Sequence, residues 1–143
     1  MKKWIAILCV MVILISTVSC GKPYEIKDLS RIASINIRVF SMTSQGYTDY
    51  AISDEEKVQE ICDLFSSLKA KQYHTFGSEP LKTIYTISFL NSSGTAIEHI
   101  AVIFDLQNAI RVSSSDKLYQ VTSDIDIRQY IEGVVASSGE LIE

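Results

Sequence analysis

The sequence predicts an α+β fold, a two-layer arrangement in which two helices cover a mostly antiparallel sheet. Three observations predict it. Apolar and polar residues alternate along 35–39, 83–90 and 97–104, which is the period of a half-buried strand. Val58, Ile61, Cys62, Phe65 and Leu68 recur at helical spacing and build one apolar stripe. The later strand candidates are separated by turns too short for a parallel crossover, so they must run antiparallel.

The elements follow in order. "IASINIRVFSM" places Ile35, Ile37 and Val39 on one face and Asn36 and Arg38 on the other. "TSQG" is a turn, and "YTDYAI" reads as the returning strand. "SDEEKVQEICDLFSSLKAK" is the strongest helix signal. Ser53 with Glu56 makes a capping box, Asp54 and Glu55 suit the first turn, and Lys69 and Lys71 suit the end. "KTIYTISFLNSSGTAIEHIAVIF" is two strands around an Asn-Ser-Ser-Gly turn. "DLQN" turns the chain again, "AIRVSSS" is a strand, "DK" a two-residue turn and "LYQVT" another strand. Ser123 and Asp126 read as a cap opening "DIDIRQYIEGVVASS", where Ile127, Tyr130, Ile131 and Val134 share a face and Gly133 weakens the helix. The expected order is β-β-α-β-β-β-β-α. No internal repeat or low-complexity segment interrupts it.

The N-terminus has the layout of a secretory signal. Met1-Lys2-Lys3 is basic, Trp4 to Ile15 is apolar, and Ser16 to Ser19 is small or β-branched before Cys20. A retained span wants about 20 apolar residues, and this run breaks at Ser16. Thr17-Val18-Ser19 fits the small-x-small site of a general signal peptidase, which would give ordinary secretion. The expected organisation is a signal over 1–19, Cys20 with a tether over 20–31, one α+β domain over 32–137 and a tail over 138–143.

The chain carries 13 Lys and Arg against 17 Asp and Glu, a formal charge of −4. Loss of Lys2 and Lys3 with the leader leaves 11 against 17, or −6. An acidic chain with no basic stripe excludes nucleic acid as an expected partner, because phosphate neutralisation needs clustered Lys and Arg. Cys9 lies in the leader and Cys62 in the helix stripe, so no pair of cysteines suggests a disulfide framework or zinc.

Candidate chemistry is sparse. Cys62 reads as a small buried hydrophobe. His74 and His99 have no second ligand at helical spacing, so no metal and no cofactor is expected. Asp54-Glu55-Glu56 and Asp124-x-Asp126 sit at helix starts, where capping accounts for them. Glycine-rich phosphate loops and nucleophile elbows are absent from the sequence. Tyr73, His74 and Phe76 in "KQYHTFG" are the candidate interaction surface, since aromatic residues in a loop either contact a partner or cover a sheet edge.

Ser19-Cys20-Gly21 resembles the lipobox of bacterial lipoproteins. The resemblance implies that the Cys20 thiol receives a diacylglycerol, that cleavage falls just before it, and that Cys20 begins the mature protein. Ser19 fits the small residue before the cysteine, whereas Thr17 stands where the pattern usually has Leu. Two acyl chains on one residue supply stable anchoring where one does not. Beyond the leader, "AISDEEKVQEICDLFSSL", "YTISFLNSSGTAIEHIAV" and "KLYQVTSDIDIRQYIE" look like the small lipoproteins of Gram-positive bacteria that carry no assigned activity. That resemblance implies a lipid-anchored location on the extracytoplasmic face of the cell membrane and a fold, not a chemistry.

Three functional readings follow. The first is a non-enzymatic binding module, anchored through acylated Cys20, for an envelope protein or small ligand. The second is a cell-envelope enzyme inhibitor or toxin-immunity factor, which a small acidic domain suits. The third is a small hydrolase, which would need His74 or His99 beside a nucleophile in a deep pocket.

Overall fold

A computed structural model describes residues 24, 26–73 and 82–142. Strands β1 (Ser34–Ser41) and β2 (Gly46–Ile52) form a hairpin, followed by helix α1 (Glu55–Ser67) and a short strand β3 (Ala70–Gln72). Then come β4 (Thr83–Leu90), β5 (Ala96–Ile103), β6 (Ala109–Val112) and β7 (Lys117–Val121). Helix α2 (Ile127–Ser138) and strand β8 (Glu140–Ile142) complete the described residues. The fold is α+β. All eight strands make one open antiparallel sheet in the order β3-β7-β6-β5-β4-β1-β2-β8.

The period-2 pattern sets the two faces of this sheet. Ile35 and Ile37 of β1 stand opposite Phe89 and Ile87 of β4, and Ile87 stands opposite Ile100 of β5. These residues are fully buried and share one core with Val58, Ile61, Cys62 and Phe65 of α1 and Ile127, Ile131 and Val134 of α2. Both helices therefore bury their apolar stripes in the same core as β1, β4 and β5. Phe65 meets Phe89 edge to face, with ring centroids 5.7 Å apart. Each such fully buried side chain contributes about 1.5–3 kcal/mol of transfer free energy.

Polar contacts fix the helices in place. The Tyr130 hydroxyl of α2 donates to Glu60 of α1 at 3.2 Å, and the Tyr85 hydroxyl of β4 donates to Glu132 of α2 at 3.1 Å. The Arg128 guanidinium donates to the carbonyls of Ile103 (2.9 Å) and Phe104, clamping α2 to the end of β5.

Several expected boundaries change. The cap of α1 is Asp54, whose Oδ1 accepts the Lys57 N–H at 2.9 Å. With the cap at Asp54 the third helical residue is Lys57, so the Ser53/Glu56 capping box does not form. The helix stops at Ser67, and Lys69 and Lys71 do not close it. Instead 70–72 pair with β7, Lys71 facing Gln120, because ladder hydrogen bonds outweigh the weak helical preference of a short segment. The expected "DK" turn is Ser113–Asp116, with Asp116 left-handed (φ 48°) and Lys117 opening β7. The Asn-Ser-Ser-Gly turn forms as expected, Asn91 Oδ1 accepting the Ser93 and Thr95 N–H groups. Strands β3 and β8 make the observed order β-β-α-β-β-β-β-β-α-β, two strands more than expected.

Tyr24 and residues 26–33 lie against the core that the helices share with the sheet. The Tyr24 hydroxyl donates to the Phe65 carbonyl at 3.0 Å, and its ring meets Tyr119 edge-on at 5.2 Å. Leu29 is buried in the core, and Tyr24, Ile26 and Ile32 pack against it. Part of the stretch read as a tether is thus packed onto the domain.

Candidate functional site

The inward residues of β1, β4 and β5 share one core with both helices, and the alternate residues of these strands point outward. Two rows cross this outward face. Asn36, Ser88 and His99 lie opposite one another on β1, β4 and β5. Asp49, Arg38, Thr86, Ala101 and Arg111 cross β2, β1, β4, β5 and β6. Strand spacing of about 4.8 Å makes the second row roughly 19 Å wide, and the two rows lie about 7 Å apart.

The rows are chemically ordered. Arg38 grips Asp49 across the strands with two bonds, Nε to Oδ1 at 2.8 Å and Nη2 to Oδ2 at 2.9 Å. The Arg38 hydrogen bonds hold the Asp49 carboxyl below the usual carboxylate range. The Arg38 guanidinium also lies 5.6 Å from the Tyr47 ring centroid, a cation–π contact. Tyr47 in turn meets Phe40 at 5.3 Å. Tyr47 is 68% exposed and Met42, in the adjoining turn, 53%. This end of the face is aromatic and apolar, its centre is polar, and toward β7 a second apolar cluster of Ile103, Ala109 and Leu118 is buried with Tyr73 and Leu106 packed against it.

His99 Nδ1 and Ser88 Oγ lie 2.9 Å apart. That is within reach of a base and its nucleophile. The pair sits on an exposed strand surface, and among the described residues no carboxylate hydrogen-bonds the other ring nitrogen. The His99 N–H donates to the Glu98 carboxylate, so it is not free to form an oxyanion hole. Ser88 and His99 form an exposed donor and acceptor pair across β4 and β5.

Beneath His99, Glu98 points the other way and is 2% exposed. Its Oε1 accepts the backbone N–H groups of His99 and Ser114, each at 3.0 Å. This carboxylate fixes the strand that carries His99 and the turn beside it. Cys62 is buried, and burial with the neighbouring Asp63 charge pushes its thiol up to about 11, which leaves it an inert thiol.

Of the residues expected to form an interaction surface, Tyr73 is described and is half-buried. Its N–H donates to the Leu118 carbonyl at 2.8 Å, and it packs against Ile103, Ala109 and Leu118. It covers the sheet beside β7. His74 and Phe76 lie outside the described residues, as does Cys20. Asp54 and Asp126 cap the two helices, and among the described residues no cluster of His, Cys, Asp or Glu has metal-site geometry. No described helix is long and apolar enough to cross a membrane.

The chain matches no known family, no characterised protein and no solved structure. Its own geometry is therefore what bears on function.

Arg38, Asp49, Ser88 and Arg111 escape notice in the sequence. Period 2 marks them as outward residues, but their pairing across strands depends on register, which alternation alone does not supply.

Proposed function

We propose that this protein is a lipoprotein anchored through acylated Cys20 on the extracytoplasmic face of the cell membrane, and that its domain is a non-enzymatic binding module. In this reading the two helices form one layer and the sheet the other, and the exposed part of the opposite sheet face, across β2, β1, β4 and β5, is the binding face. The observation that carries the reading is that face. It joins a bidentate Arg38–Asp49 pair, the Ser88–His99 pair and exposed Tyr47 in adjacent rows. Interfaces favour this mixture, with aromatic and Arg side chains giving contact area and polar groups giving specificity. The lipobox-like Ser19-Cys20-Gly21 supports the location, and the resemblance to small Gram-positive lipoproteins agrees with it.

One experiment tests both halves. Cells expressing the full chain are labelled with a tagged fatty acid, treated with a cross-linker and probed for the protein. The label should be lost in Cys20→Ala and retained in Ser88→Tyr. A cross-linked envelope species should be present in the unmodified protein and lost in Ser88→Tyr, whose ring fills the centre of the face. Undiminished acyl label on Cys20→Ala would refute the anchor. An unchanged cross-linked species in Ser88→Tyr would move the binding site off the sheet.

A second reading, an envelope inhibitor or immunity factor for a basic enzyme or toxin, is favoured by one feature. Asp54, Glu55, Glu56, Glu60 and Asp63 line one open side of α1. In that case charge reversal on α1, not substitution on the sheet, would abolish the cross-linked species.

A further inference from the structure

We propose that residues 26–31 and the C-terminal end of α1 form a membrane-facing surface that rests on a lipid bilayer, with the sheet face that carries Arg38, Ser88 and Arg111 turned away from it. This rests on the reading of Cys20 as the acylated residue. The argument begins with chain length. Only four residue steps separate Cys20 from Tyr24, and they span at most about 14 Å when fully extended. A domain of this size is roughly 30 Å across. The acyl chains therefore reach a bilayer only if the Tyr24 side of the domain faces it.

Tyr24 itself is held. Its hydroxyl is bonded to the Phe65 carbonyl and its ring lies against Tyr119. Beyond it, Lys27 Nζ donates to the Ile97 carbonyl at 3.1 Å, Leu29 is buried, and the Ala33 N–H donates to the Leu90 carbonyl at 2.8 Å. No slack is available from residue 24 onward to lengthen the reach. Tyr24, Asp28, Gln59, Cys62, Asp63 and Ser66 line one shallow groove of about 490 Å³, which places the strap beside the last turns of α1. Both lie on the helix side of the sheet, opposite Arg38, Ser88 and Arg111.

Charge agrees with this placement. Around the strap Lys27 and Arg31 balance Asp28 and Asp63. At the other end of α1, Asp54, Glu55 and Glu56 stand with one basic residue, Lys57. Ten residues of helix put Glu55 about 15 Å from Phe65, beyond the screening length of about 8 Å at physiological salt. An anionic bilayer repels the N-terminal end of α1 and tolerates the strap end.

The test uses the acylated full-length product in vesicles of phosphatidylglycerol and phosphatidylethanolamine, after mass spectrometry of the Cys20 peptide. A fluorophore is placed by Ser66→Cys or by Arg111→Cys; buried Cys62 does not compete for label. A quencher carried on lipid headgroups should quench the probe at position 66 several-fold more than the probe at position 111. A flexible Gly-Ser insertion after Gly21 that at least doubles the span should abolish that difference. Equal quenching at the two positions, or an undiminished difference with the longer span, would overturn the proposal while leaving the anchor intact. Absence of an acyl group on Cys20 would instead overturn the anchor, and this orientation with it.

Discussion

Asn108 ties three segments together with one residue. Its Nδ2 donates to the Ile125 carbonyl at 2.7 Å, its Oδ1 accepts the Ile127 N–H at 3.0 Å, and its backbone carbonyl accepts the Val121 N–H at 2.9 Å. It does so from the left-handed region, at φ 49°, which Asn tolerates better than other side-chain-bearing residues. Asn108→Gly keeps the backbone and loses both side-chain bonds. Asn108→Ala loses both and adds a backbone cost of about 1–2 kcal/mol. Urea midpoints should fall in both, with Ala less stable than Gly by about 1 kcal/mol at an unchanged slope. Equal midpoints would show that the backbone conformation costs nothing there. The sequence marks Asn108 as a turn residue in "DLQN", but its side-chain partners, just before and at the start of α2, lie 17 and 19 residues away and carry no local signal.

The cap of α1 is a dispute between two adjacent residues. Ser53 and Asp54 both have capping side chains, and the extended backbone of Asp54 (φ −64°, ψ 120°) decides for the second. Asp54→Ala should destabilise the protein by about 1 kcal/mol, and Ser53→Ala should have almost no effect. Thermal midpoints of the two variants check this; a larger loss in Ser53→Ala would restore the capping box. The strands missed in the sequence have a common cause. β3 and β8 are three residues long, too short to show alternation, and they exist through pairing with β7 and β2. Gly139 permits the second of these. A Cβ there would lie 2.8 Å from the Val135 carbonyl and 3.2 Å from Tyr50, so the helix end and β8 meet only without a side chain.

The whole molecule has an alkaline limit set by its buried phenols. Tyr24, Tyr85 and Tyr130 are pushed up, chiefly by burial, Tyr85 to about 12, and Cys62 is pushed up to about 11. Each group is held protonated in the fold while its unfolded counterpart ionises near 9 for Cys and 10 for Tyr. The stability they contribute is whole below those unfolded values and is lost as pH rises from about 9 toward 12. Tyrosinate absorbance from these three residues should therefore grow together with the loss of far-ultraviolet dichroism. Full tyrosinate absorbance in a chain that keeps its dichroism would refute their burial. On the acid side, Asp28, Asp49 and Glu60 are lowered by hydrogen bonds to Ser30, Arg38 and Lys57. What they contribute fades as pH falls through their folded values, and solvent screening keeps it small.

Alternation in β1, β4 and β5 and the 3.6-residue stripe of α1 were enough to identify the fold class, since each period can bury only one face and so demands a cover. The expectation of a leader ending at Cys20 was likewise read from local properties, length and small-residue punctuation. Position across the sheet was not. Ser88 and His99 stand side by side, and Arg38 grips Asp49, through registers that join residues 11 apart in the chain. Tyr24 becomes part of the core only because Tyr119 and the end of α1 are brought to it. Contacts of this kind arise when several elements bury their apolar faces together, and no single segment encodes them.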